Sequence, residues 1–176
     1  MEKKILLIYK SVTGFTKNYA EMIAAETGCA LAELKSVNAG VLSGYDTILF
    51  GGRLFAGAID GLKQARKLFA QSSAHEFIVF ATGATPNIAE EIINETWKKN
   101  LSADELVRIP HFYMQAGLCY EKMPFIERMM MRMVGAMNRK KKNKTASEQG
   151  FEQAIAASFD QSSPEFIRPL VEYLQS

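Results

Sequence analysis

The sequence predicts a doubly wound α/β fold: one sheet of five parallel strands with helices on both faces. Short apolar runs alternate along the chain with segments of helical periodicity, the order expected when each crossover between parallel strands is a helix. The clearest run, Ile5-Leu6-Leu7-Ile8-Tyr9, is continuously apolar, as in strands covered on both sides. The length of 176 residues, with a hydrophobic fraction of 48% and a charged fraction of 23%, suits one globular domain over residues 1–176.

Residues 5–9 are the first strand. Tyr19, Ala20, Ile23 and Ala24 fall on one face of the helix after it, and Gly28 can close that helix. Residues 30–35 form a short second strand. Residues 45–50 are the third, ending at Gly51-Gly52, and Leu62, Ala65, Leu68 and Phe69 then recur at helical spacing. Residues 77–81 are the fourth strand, ending in Thr82-Gly83. Thr85 or Asn87 is expected to cap the next helix, which turns Ile88, Ile92 and Ile93 inward. Ser102 and Glu105 have capping-box spacing. Residues 112–116 are the fifth strand, and a long helix follows over about 123–138. Residues 140–147 read as a loop. Phe151, Ala154, Ile155 and Phe159 suggest another helix, and Pro169 fits the first turn of a terminal one carrying Leu170, Val171 and Leu174.

Several function classes are excluded early. The net charge of +2 implies no particular partner, and no nucleic-acid partner is expected. Cys29 and Cys119 are far apart and lack metal-ligand spacing. They indicate neither a disulfide framework nor a metal site, and they suit a reducing cytoplasm. The first apolar run is too short for a signal peptide or a membrane span. His75 and His111 each stand beside a strand start and read as structural. No nucleophile–base–acid arrangement is visible, so catalytic residues stay unassigned.

In a doubly wound sheet, ligands bind beyond the carboxyl ends of the strands. The loop after the first strand reads Ser11-Val12-Thr13-Gly14-Phe15-Thr16. Three hydroxyls sit there between a buried strand and a helix N-terminus, where unpaired N–H groups and the helix dipole favour an anion. Lys10 and Lys17 flank the loop, but no cation lies inside it and it lacks a Gly-Lys-Ser/Thr ending. A phosphate monoester fits better than a triphosphate with magnesium.

This stretch resembles the Ser/Thr-x-Thr-Gly-x-Thr phosphate loop of flavodoxins, with every defined position matched. Gly51-Gly52-Arg53-Leu54-Phe55-Ala56-Gly57 is similar to the flavin-contacting loop after the third strand. Residues 112–122, with the Met-rich segment after them, resemble one branch of the family, related to menaquinone-dependent protoporphyrinogen dehydrogenase. The resemblance covers nearly the whole chain. It implies a flavodoxin-like sheet in the order 2-1-3-4-5, with a Met-rich helical insertion at about 119–144. It also implies FMN as cofactor. Ser11, Val12, Thr13, Gly14, Phe15 and Thr16 would surround the phosphate. Arg53, Leu54, Phe55, Ala56 and Gly57 would form one wall of the isoalloxazine site, with Phe55 as its cover, and Thr82, Gly83 and Ala84 the other. Flavodoxins that act as mobile carriers are usually strongly acidic, and this chain is not. The reading is an FMN-dependent oxidoreductase or electron-transfer protein, serving a redox partner protein or a quinone or other small-molecule substrate. A small electron carrier is the alternative, and a flavin-free binding module on the same fold is the alternative from another class.

The insertion has its own pattern. Ile126, Met130, Met133, Val134 and Met137 make one helical stripe, widened by Phe125 and Met129. Arg139, Lys140, Lys141, Lys142 and Lys144 follow as a basic cluster. Core packing, a substrate or partner site, and a membrane surface all remain open for it. Residues 123–144 are thus a candidate for peripheral membrane contact.

Overall fold

The computed structural model describes residues 3–143, 145, 152 and 155–176. Five strands run parallel: β1 (Ile5–Lys10), β2 (Ala30–Glu33), β3 (Thr47–Phe55), β5 (Glu76–Gly83) and β6 (His111–Gln115). Their order across the sheet is β2-β1-β3-β5-β6, which is 2-1-3-4-5 for the five parallel strands. A two-residue strand, β4 (Ala58–Ile59), folds back antiparallel on the end of β3.

Successive side chains of a strand point to opposite faces, and both faces here are buried. Leu6, Ile8, Ile48 and Phe50 join one core with Leu62, Ala65 and Trp97. That face is covered by α2 (Ala39–Leu42), α3 (Leu62–Ala70), α4 (Glu90–Asn100) and α5 (Ala103–Arg108). Leu7, Tyr9 and Leu49 join the other core with Tyr19, Ala20, Ile23, Leu170 and Val171. Here the cover is α1 (Phe15–Thr27) and α7 (Arg168–Gln175). The continuous apolar character of β1 follows from this double cover. Ser102 and Glu105 form the capping box at the start of α5, and Pro169 lies in the first turn of α7.

Four expectations are corrected. The third strand does not stop at Gly51-Gly52 but continues to Phe55. Neither Thr85 nor Asn87 caps α4. Ala89 holds that position without a side-chain bond, because the Asn87 carboxamide is taken by the Gln115 amide at 2.9 Å. Ile88 and Ile92 do not turn inward: they are 91% and 51% exposed, and Ile88 precedes the helix. Only Ile93 and Trp97, one helical turn apart, meet the core. Phe159 belongs to β8 (Phe159–Asp160), paired antiparallel with β7 (Gly117–Leu118), rather than to a helix. Phe151 and Ala154 lie outside the described residues, as do Lys144 and residues 146–147 of the expected loop.

The Met-rich segment forms α6 (Phe125–Lys140). Met129, Met133 and Met137 are 53%, 60% and 67% exposed, so the stripe does not close the core. Only Gly135 of this helix is buried, with Ile155 against it.

Candidate functional site

The carboxyl ends of β1, β3 and β5 lie side by side: Lys10 is in register with Gly52, and Arg53 with Thr82. The loops that leave these ends therefore share one rim.

The loop after β1 ends at Gly14, the N-cap of α1. Its φ is 101°, and no side chain caps the helix. A positive φ is costly for a residue bearing a Cβ. Ser11 Oγ accepts a bond from the Gly14 amide at 3.2 Å, which tightens the loop into a cradle. The first N–H groups of a helix have no intrahelical partner, and here no side chain has taken their place as cap. The Thr16 hydroxyl is buried and shares a 2.8 Å hydrogen bond with that of Thr82, joining the first turn of α1 to the end of β5.

The loop after β3 is a hairpin. Ala56 and Gly57 form its two-residue turn with φ of 49° and 81°, the left-handed pair that suits strand twist. Phe55 is half-buried, with the Arg53 guanidinium 5.0 Å from its ring centre. Leu54 comes within 3.1 Å of the position a side chain on Gly83 would occupy, so the hairpin and the Thr82–Ala84 loop abut. The sequence-predicted residues at 11–16, 53–57 and 82–84 are thus brought to one end of the sheet.

Arg53 is more occupied than its place in a loop suggested. Its Nη1 and Nη2 donate to Glu127 of α6 at 2.8 and 2.6 Å, and its Nε lies 3.5 Å from Asp60. Burial by itself lowers the Arg53 pKa, but the Glu127 and Asp60 carboxylates outweigh it and the net shift is upward.

Below the rim, hydrogen bonds fix the loops. The Tyr113 hydroxyl donates to the Thr85 carbonyl at 2.8 Å, and burial pushes this phenol well above the usual range. Asn87 and Gln115 bond reciprocally, each side chain meeting the other's backbone N–H at 3.0 and 2.9 Å. Tyr19, fully buried, donates to the Gln115 carbonyl and accepts from the Ser163 amide at 3.1 Å.

Two features escaped the sequence. One is the Arg53–Glu127 pair. The other is Lys122, in the turn Tyr120–Lys122, whose Nζ lies 3.8 Å from where a side chain on Gly14 would begin. Both are long-range contacts without a local motif. Cys119 sits 3.5 Å from a Glu121 carboxylate oxygen. His111 lies at the start of β6, its ring 4.8 Å from that of Trp97, which is a packing role. Among the described residues, no group of three or more His, Cys, Asp or Glu could hold a metal. No helix among them is long and apolar enough to cross a membrane.

A model of the flavodoxin domain matches residues 6–146. A search of curated proteins finds no match. Among solved structures, the chain is similar to a flavodoxin from the domain Archaea, at 14% identity and a TM-score of 0.43, covering 98% of this chain and 99% of that one. It is similar to two-electron reduced Megasphaera elsdenii flavodoxin at 14% identity and 0.44, covering 87% and 99%. For oxidised Flavodoxin 1 from Bacillus cereus the values are 18%, 0.41, 76% and 95%.

Proposed function

The chain belongs to the flavodoxin domain family, and from that premise we propose that it binds FMN and acts as an oxidoreductase or electron-transfer protein. The observation that carries the reading is the loop at Gly14: a left-handed N-cap with no side-chain cap, beside the Ser11 and Thr13 hydroxyls. The donor set fits a phosphate monoester. Backbone N–H groups and hydroxyls bind such an anion without a metal. Ser11, Thr13, Gly14, Phe15 and Thr16 would hold the phosphate, with Val12 shaping the loop. The hairpin Arg53–Gly57 would form one wall of the flavin site and Thr82–Ala84 the other. Bound FMN supplies the electron-transfer chemistry. The protein's part is to fix the loops, through Tyr113, Asn87 and Gln115, and to limit water at the rim with Leu54 and Phe55.

The finer reading follows the branch that the segment after β6 resembles: oxidation of a reduced small molecule, protoporphyrinogen-like, with a quinone as acceptor. The exposed stripe of α6 supports a docking role for residues 123–144. Its apolar side chains stand beside Arg139, Lys140, Lys141 and Lys142, a pairing that suits an anionic membrane surface.

The test is titration of the purified protein with FMN and with riboflavin, read by flavin fluorescence. FMN should bind more tightly. Hydrogen bonds to a charged group contribute about 1.5–3 kcal/mol, so Thr13→Ala should weaken FMN by roughly ten- to a hundredfold and leave riboflavin unchanged. A colourless protein that takes up neither flavin would support the flavin-free binding module instead.

A further inference from the structure

We infer that Lys122 is part of the phosphate site, supplying from the far side of the sheet the positive charge that the loop after β1 lacks. This rests on the FMN reading above.

Among the described residues, Lys10, Lys17 and Lys122 lie near that loop. Lys10 is paired with Asp60 at 2.7 Å, and Lys17 faces Glu21 at 3.8 Å. Lys122 is different. Among the described residues its ammonium has no hydrogen-bond or ion-pair partner, and it stands beside Gly14, 3.8 Å from the origin of any side chain there. The two flanking lysines thus already face carboxylates, while the one without such a partner stands at the cradle.

Its placement is built into the fold. The backbone on either side of Lys122 is anchored: the Tyr120 amide donates to Ser158 Oγ at 2.9 Å, the Tyr120 hydroxyl donates to the Ile155 carbonyl, and Met123 is buried. The Lys122 side chain itself is exposed, and a four-carbon stem tipped by three rotatable donors adapts readily to a phosphate. The sequence motif for neutral phosphate loops cannot reveal it, because the charge arrives from a segment more than a hundred positions away.

A phosphate monoester carries close to two negative charges at neutral pH. An ammonium at this position therefore favours FMN over its dephosphorylated form, riboflavin. It also ties the base of α6 to the N-terminus of α1 when the anion is bound.

The experiment titrates wild type, Lys122→Gln and Lys122→Arg with FMN and riboflavin at several salt concentrations, following flavin fluorescence. One charge-assisted hydrogen bond corresponds to roughly a tenfold loss or more, so Lys122→Gln should bind FMN about tenfold more weakly, with riboflavin unchanged and a shallower salt dependence. Lys122→Arg should keep most of the FMN preference. If Lys122→Gln retains the wild-type FMN-to-riboflavin ratio and salt dependence, Lys122 is not in the site. If wild type itself does not distinguish FMN from riboflavin, the phosphate reading falls first, and this inference falls with it.

Discussion

Arg53 and Glu127 form a two-point ion pair, 2.8 and 2.6 Å between donor nitrogens and carboxylate oxygens, that fastens the first turn of α6 to the end of β3. The partners are 13% and 17% exposed, so water competes little for either. Arg53 reaches Asp60 at the same time, which makes it a three-way joint between the hairpin, the sheet and the helix.

Glu127→Gln keeps the shape of this joint and removes its charge. A hydrogen bond to a charged group contributes about 1.5–3 kcal/mol, and the loss should appear locally. Amide exchange in residues 125–140 should accelerate in the variant while exchange in β1 and β3 stays unchanged. Equal exchange in α6 before and after the substitution would show that the pair does not hold the helix.

Tyr19→Phe removes one hydroxyl that serves two backbone groups, the Gln115 carbonyl and the Ser163 amide. Leaving buried groups unsatisfied costs about 1–3 kcal/mol. Urea denaturation should show a lower midpoint with an unchanged slope. A midpoint equal to wild type would mean that water replaces the hydroxyl at no cost.

Glu76 should give the protein part of its acid sensitivity. Burial raises the pKa of this carboxyl, but bonds from Lys3, Thr47 and Tyr173 outweigh it, and the net shift is downward. A depressed folded pKa contributes stability that is present above the unfolded value, about 4.3 for Glu, and lost as pH falls through the lower folded value. Urea midpoints of wild type should therefore fall below roughly pH 4 more steeply than those of Glu76→Gln. Parallel curves for the two proteins would remove Glu76 from the acid response.

The exposed face of α6 predicts binding to anionic vesicles and weak binding to neutral ones. Each lysine near an anionic membrane contributes about 1 kcal/mol. Changing Lys140, Lys141 and Lys142 to Gln should thus weaken sedimentation with anionic vesicles more than tenfold. No sedimentation of wild type with either vesicle would eliminate the membrane role of this face.

The parallel strands were legible because double cover makes their runs apolar, and the loop at 11–16 because its hydroxyls and glycine form a local motif. The extension of β3 through Gly51-Gly52 was hidden. Glycines read as a strand end, yet Gly51 is there because the Phe80 ring fills the space beside it: a Cβ would lie 2.1 Å from that ring. The fate of Asn87 was hidden too, since a side chain suited to capping is equally suited to holding the Gln115 backbone, and only the fold decides. Helical periodicity showed that α6 has an apolar stripe but could not show whether anything covers it. Lys122 left no local trace at all, since the Gly14 backbone it stands beside lies in a distant loop.

The core shared by α1 and α7 sets an order of events during synthesis. All five parallel strands have been made once residue 115 has left the ribosome, yet Ile167, Leu170 and Val171 are still missing from the cluster around Leu7, Tyr19 and Leu49. At about 5–20 residues per second, the interval lasts several seconds, and one side of the nascent sheet stays incompletely covered throughout. The other side can be completed by residue 113 with Trp97, Leu101, Ile109 and Tyr113. The growing chain thus carries one finished face and one apolar face still uncovered, and premature release would leave the latter open to aggregation.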